Sequence, residues 1–222
     1  MVNNETELWL WWQRFVGSDR ATFDALISRH REAHRRYHTE THVAWVLRHC
    51  RELLDDRPAL PAITSNAPDA PSGDHDASRL VVAAAFWHDA VYDPTSSANE
   101  HHSAQLAARD LGALGWEQPA VERVVRAIEG TATHLDPADE VEAVLFDADL
   151  AVLGADPQGY RSYVDGVRFE YQHVADEAWR VGRAAVLHSF LGRDSIYATV
   201  GGRQRWQTRA VANLTAELAS LN

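Results

Sequence analysis

The sequence predicts an all-α protein, and three observations carry that prediction. Apolar residues recur at helical spacing along most of the chain, as they do on the buried face of a helix. No alternation of apolar and polar residues extends far enough to indicate a strand. Gly, Pro and Asp separate the periodic segments, as they do at helix ends. We therefore expect residues 1–222 to form a single domain of roughly nine or ten helices around one core.

Capping and helix-breaking residues divide the chain into the predicted helices. N-caps are expected at Asp19, at Thr39 or Thr41, at Ser97 or Asn99, at Asp136 and at Asp156, and a helix end is expected at Gly115. Residues 57–78 differ from the rest, because they contain four prolines and lack periodicity. They are expected to form a mobile surface loop within the domain.

The charge balance and the cysteine content narrow the classes of function. A net charge of −11 argues against general binding of nucleic acids or anionic membranes. A small phosphorylated substrate stays open, because a bound metal can reverse the charge locally. Cys50 is the single cysteine, so no intrachain disulfide is expected. No membrane-length apolar stretch and no signal peptide are recognisable, so we expect a cytoplasmic protein, with a homodimer as one option.

The segment 83–93 is the most informative part of the sequence. Small and apolar residues at 83–87 indicate a buried helix, and the pair His88 and Asp89 follows it directly. A buried carboxylate is unfavourable unless it is paired, hydrogen-bonded or bound to a metal. An exposed helix end is the alternative interpretation, since His and Asp are ordinary residues there.

Three further polar motifs accompany this pair, each on a predicted helix or at its end. They are Tyr-His-Thr-Glu-Thr-His at 37–42, Asn-Glu-His-His-Ser at 99–103 and Asp-Ala-Asp-Leu at 147–150. The order His…His-Asp…Asp resembles the HD superfamily of metal-dependent phosphohydrolases. The run from 160 to 191 is similar to an uncharacterised predicted-phosphohydrolase branch of that superfamily. The motif at 37–42 also resembles the YHxxxH motif of cyclic-nucleotide phosphodiesterases.

The resemblance implies an HD-type helical bundle with a metal at its centre, held by His42, His88, Asp89 and Asp149. Two imidazoles and two carboxylates independently suit Mn, Fe, Co, Ni or Zn, with Mg as an addition. Asp89 is placed to bridge to a second metal. Asp147 is the alternative to Asp149, which we favour because the family pattern has Asp directly before an apolar or basic residue and Leu.

The remaining polar candidates have catalytic and structural interpretations. By resemblance to the phosphodiesterases His38 becomes a general acid, although it could equally bond a helix end. Glu100 could orient the attacking water or pair with the histidine at 88, or could simply favour the first turn of its helix. Asp93 completes the catalytic candidates. His134 and His102 could supply a second metal and are otherwise surface histidines.

Substrate contacts are expected from Arg168, because guanidinium matches phosphate geometry, and from Trp87, which adjoins the His-Asp pair. An ordinary ion pair is the alternative for Arg168 and is favoured for Arg183. The leading interpretation is hydrolysis of a phosphomonoester or nucleotide phosphate by a metal-activated water. A dinuclear iron HD oxygenase and a non-catalytic, nucleotide-binding HD module are the alternatives.

Overall fold

A computed structural model describes residues 4–55 and 73–221 of the chain. These residues form ten α-helices and one 3₁₀ helix and contain no strand, which confirms the predicted all-α class. The helices are α1 (Asn4–Phe15), α2 (Arg20–Arg29), α3 (Glu40–Asp55), α4 (Gly73–Trp87), α5 (Asn99–Ala113), α6 (Gln118–Gly130), α7 (Glu140–Asp149), the 3₁₀ helix (Leu150–Gly154), α8 (Pro157–Glu170), α9 (Asp176–Leu191) and α10 (Val200–Leu221). In this described part, no helix combines the length and hydrophobicity needed to cross a bilayer.

Helix α4 is the centre of the fold. Its last turns, residues 80–87, are buried all round, and α4 packs against α1, α3, α5, α6 and α7. Alanines at 83, 84 and 85 explain this position, because small side chains let neighbouring helices approach closely. The His88-Asp89 pair therefore lies at the end of a central helix.

Two of the predicted N-caps are confirmed. Asp19 accepts a hydrogen bond from the backbone N–H of Thr22, and Asp156 accepts from the N–H groups of Gln158 and Gly159. Each carboxylate satisfies amide groups that have no partner inside the helix.

Two other expected N-caps are wrong. Helix α5 follows Ala98 and has no side-chain cap, because Asn99 instead bonds the backbone of Asp93. Helix α7 is capped by Asp139 and not by Asp136. Asp136 has a φ of 46°, a left-handed conformation that cannot lead into a right-handed helix.

The predicted loop at 57–78 extends too far toward the C-terminus. Residues 57–72 lie outside the described residues, while 73–78 are the first turns of α4. Ala77, Leu80, Val81 and Ala84 are buried at helical spacing, so the apolar face of α4 begins inside the segment assigned to the loop.

Candidate metal centre

Four side chains from three helices converge beside the end of α4. One ligand atom from each of His42, His88, Asp89 and Asp149 lies within 4.8 Å of all the others. His42 comes from the first turn of α3, the adjacent pair from the turn after α4, and Asp149 from the last residue of α7. These four residues, the metal cluster below, are a group that could hold a metal ion.

The distances show that the four side chains face one another. His42 Nε2 lies 3.0 Å from Asp149 Oδ1, and His88 Nε2 lies 3.0 Å from Asp89 Oδ2. The two Nε2 atoms are themselves 3.2 Å apart. The imidazoles are buried, with 2% and 1% of their side chains exposed, whereas the carboxylates are 19% and 16% exposed. The cluster is therefore walled by imidazoles and open to solvent on its carboxylate side.

The backbone of α4 sets the orientation of His88. Its Nδ1 lies 2.9 Å from the carbonyl oxygen of Ala85. A carbonyl only accepts, so Nδ1 carries the proton and the lone pair of the neutral ring is on Nε2, which faces the cluster. Such an outer hydrogen bond is typical of metal-binding histidines. His42 has no equivalent, because its Nδ1 is buried without a partner.

Without a metal, the cluster is a set of mutually compensating charges. Burial lowers the pKa of His88, but the charges of Asp89 and Asp149 outweigh it and hold that pKa well above its usual value. The same balance raises the pKa of His42. Burial raises the pKa of both carboxyls, yet the imidazoles, His88 foremost, hold it well below the usual value. In the described part of the chain no arginine pairs with either carboxylate, so the imidazoles are their counter-charges.

The donor set fits a first-row divalent cation. Imidazole nitrogen and carboxylate oxygen are its common ligands, and Nε2 of His88 is oriented for coordination. When both imidazoles are neutral, as metal ligands must be, the two carboxylates leave a negative charge that a dication would neutralise. The partial exposure of the carboxylates leaves room for water as a further ligand.

Asp147 and His134 have separate roles. Asp147 accepts from the N–H groups of Ala198 and Thr199 and from the Thr199 hydroxyl, so it caps the start of α10. Asp147 is not one of the four residues that could hold a metal ion, whereas Asp149 is. His134 Nε2 lies 2.8 Å from Asp149 Oδ2, the oxygen that does not face His42. His134 thus holds the carboxylate, and its own φ of 52° shows an unusual backbone conformation there.

His38 is fixed by a glutamate that sequence reasoning missed. Its Nδ1 lies 2.7 Å from Glu170 Oε2, which also accepts from the Tyr92 hydroxyl. Glu170 Oε1 accepts three backbone N–H groups, those of residues 36, 37 and 38. Burial raises the pKa of Glu170, but its bonds to His38 and the backbone outweigh burial and lower the pKa to about 2. The His38 ring is 5.8 Å from that of His42, beside the cluster.

Arg35 is the second residue that sequence reasoning missed. Its side chain is fully buried, and it donates to the carbonyl oxygens of His38, Asp89 and Ala90. One guanidinium therefore ties the segment before α3 to the turn that carries the His-Asp pair. The sequence does not show this link, because the carbonyl groups of Asp89 and Ala90 lie more than fifty residues away along the chain.

Several predicted site residues lie outside the cluster. Asp93 is exposed and bonds Thr95 in a local turn, and His102 is exposed on α5. Glu100 stands in the first turn of α5, the position expected from the helix dipole. Trp87 is fully buried and donates to Asp110, so it faces the core and not a ligand. The predicted catalytic and substrate contacts of Asp93 and Trp87 are therefore not supported by their surroundings.

The arginines nominated for phosphate binding are engaged in structural contacts. Arg168 donates to the carbonyls of Tyr171 and Val174 and to Asp176, which closes the end of α8. Arg183 forms a buried, two-pronged pair with Glu217. The ion-pair interpretation therefore describes both arginines.

Comparisons with protein-family models, with curated proteins and with solved structures each found no match. The description of the site therefore depends on its geometry.

Proposed function

We propose that this chain is a metal-dependent phosphohydrolase of the HD type, acting on a phosphomonoester or a nucleotide phosphate. The observation that carries the proposal is the convergence of His42, His88, Asp89 and Asp149 at the end of the central helix. A divalent ion bound there would polarise a phosphoryl oxygen and lower the pKa of a bound water.

The chain's own residues supply the rest of the proposed reaction. Water attacks phosphorus and releases one proton to solvent, the bond from phosphorus to the ester oxygen breaks, and the products are inorganic phosphate and an alcohol. His38 gives its Nε2 proton to the departing oxygen. Its Nδ1 donates to Glu170, which stays ionised, so Nε2 is the nitrogen left to face the substrate.

Direct bonding of His134 to Asp149 favours a single ion. A dinuclear iron oxygenase would need a third imidazole beside the cluster as a ligand of its second iron. Here that imidazole is already hydrogen-bonded to a carboxylate of the cluster. The two candidates differ in metal content and colour. A phosphohydrolase should turn over phosphate esters without consuming oxygen, whereas an oxygenase should be coloured and consume it.

Metal content and turnover of two variants distinguish whether His38 is a general acid or a metal ligand. His38→Ala should retain metal and lose turnover by roughly 10²–10⁴-fold on an alkyl phosphate. The loss should shrink on a nitrophenyl phosphate, because that leaving group departs without protonation. His42→Ala should lose metal and activity together on both esters.

Two outcomes would contradict this assignment. Equal metal loss in both variants would make His38 a ligand. An unchanged rate of His38→Ala on the alkyl phosphate would leave His38 a purely structural role. Failure of the wild-type protein, carrying metal, to hydrolyse any phosphate ester would contradict the phosphohydrolase proposal itself.

A further inference from the structure

A groove of about 350 Å³ lies between the start of α3 and α8 and touches the metal cluster at His42, the one of its four residues that lines the groove. His42 lines it together with Arg36, Tyr37 and Tyr163. It is continuous with a second groove of about 500 Å³, since Trp45, Ala155, Gly159 and Ser162 line both. The combined groove leads from a metal-cluster histidine along α3 to Trp206 and has the size range of small-molecule sites.

Arg36 is the cation at the metal-cluster end of the combined groove, whereas Arg209 lines the far end and donates to the carbonyl of Gly154. The guanidinium of Arg36 has no acidic partner and no hydrogen-bond acceptor among the described residues, and Arg36 is exposed. The neighbouring Arg35 is buried with its donors in use. Arg168 and Arg183 are paired elsewhere, so neither is available to a phosphate. An unpaired guanidinium beside a metal-cluster ligand has the chemistry to bind a phosphate dianion.

The far part of the groove offers a different chemistry. Trp45, His49 and Trp206 line it. Among the described residues, the Nε1 of Trp45 and the Nε2 of His49 are buried without hydrogen-bond partners. Both atoms are closed to solvent, so the part of these two side chains that a ligand in the groove can meet is aromatic surface. A planar, polar organic group would suit this lining.

We propose that the combined groove is the substrate site, with Arg36 binding the phosphate of an ester whose extended, planar polar group lies along Trp45 toward Trp206. The inference deepens the proposed function and rests on it for the reaction. The binding claim stands on the groove and on Arg36, and can be tested without turnover.

The first test compares two exposed arginines. Binding of adenosine monophosphate and of glycerol phosphate is measured by calorimetry in metal-free buffer, in which no turnover is expected. Arg36→Ala should weaken both by about 10–100-fold, the size of a charged hydrogen bond. Arg161→Ala is the matched control, since Arg161 is also exposed and without a described partner but lines a separate groove between α8 and α10. It should bind both compounds like the wild type.

The second test blocks the part that the two grooves share. Ser162 is exposed there, so Ser162→Trp fills the passage without entering the core. The affinity for adenosine monophosphate should fall at least about 10-fold. The affinity for glycerol phosphate should stay within about twofold of the wild-type value, because this compound is short enough to stay near Arg36. Unchanged melting temperatures verify that the variants are folded.

The outcomes separate the two proposals. Binding with these selective losses but without hydrolysis would support the groove and contradict the phosphohydrolase. Hydrolysis with unchanged affinity in Arg36→Ala would support the enzyme and overturn the role of Arg36. Equal losses for both compounds in Ser162→Trp would overturn the extended site, and so would wild-type protein that binds neither compound.

Discussion

Asp147 and Asp149 lie two residues apart on α7, and both carboxylates are largely buried, yet their surroundings differ completely. Asp147 accepts hydrogen bonds from two backbone N–H groups and one hydroxyl group at the start of α10. The carboxylate of Asp149 instead contacts the imidazole nitrogens of His42 and His134. The first arrangement uses the carboxylate to join two helices. The second groups it with other potential metal ligands, which is the difference between a structural and a functional buried acid.

The pKa directions express the same contrast. Burial raises the pKa of Asp147, and its hydrogen bonds to Thr199 and Ala198 offset this only in part. Burial also raises the pKa of Asp149, but the nearby imidazoles outweigh it and hold the pKa well below its usual value. Asp149 therefore stays ionised, as a metal ligand must be.

The largest expected effect comes from replacing each of the two aspartates with alanine in separate variants. Asp149→Ala should weaken metal binding by more than about 100-fold, because it removes a ligand, a larger loss than that of an outer-shell partner. Asp147→Ala should bind metal like the wild type but lose about 1–3 kcal/mol of unfolding free energy, since the amides of α10 lose their acceptor. Metal titration and urea unfolding measure the two effects. Equal metal loss in both variants would remove the distinction.

Glu170 combines both arrangements, because it accepts three backbone N–H groups and an imidazole. Its pKa is lowered from 4.5 to about 2 in the folded chain. A depressed acid stabilises the fold above its unfolded pKa, and this stabilisation disappears as pH falls from 4.5 toward 2. The loss should be about 3 kcal/mol.

Urea unfolding between pH 7 and pH 2 tests this contribution of Glu170. The part of the acid-induced loss that Glu170 causes should be absent from Glu170→Gln. The matched control is Glu217→Gln, in which a buried glutamate paired with Arg183 is changed in the same way. An identical pH slope in the wild type and in Glu170→Gln would show that the carboxylate contributes nothing.

A smaller effect is expected from the outer partner of Asp149. His134→Ala should keep the four cluster residues but free the second carboxylate oxygen, which lowers metal affinity by roughly 10–100-fold. Competition with a chromophoric chelator measures the change. A complete loss of metal would instead make His134 a ligand, and no change would make its contact with Asp149 incidental.

Sequence reasoning could predict the helices from local patterns, whereas the four cluster residues were implied by the resemblance to the HD superfamily. Helical spacing is visible within a few turns, and an acid in an apolar helix is expensive enough to require an explanation. It could not separate Asp147 from Asp149 on physical grounds, because the difference depends on where α10 begins, some fifty residues later. The role of Glu170 could not be predicted from the sequence for the same reason. Its backbone and imidazole partners lie more than 130 residues earlier, and Tyr92 lies 78 residues earlier. In sequence, a glutamate at the end of a helix resembles a solvent-exposed one.

Metal analysis of the purified protein tests the central claim most directly. The wild type should carry about one transition-metal ion per chain, held by two imidazoles and two carboxylates. His88→Ala and Asp89→Ala should each lose it while remaining folded by circular dichroism. If both variants keep as much metal as the wild type, the four converging side chains are not its binding site.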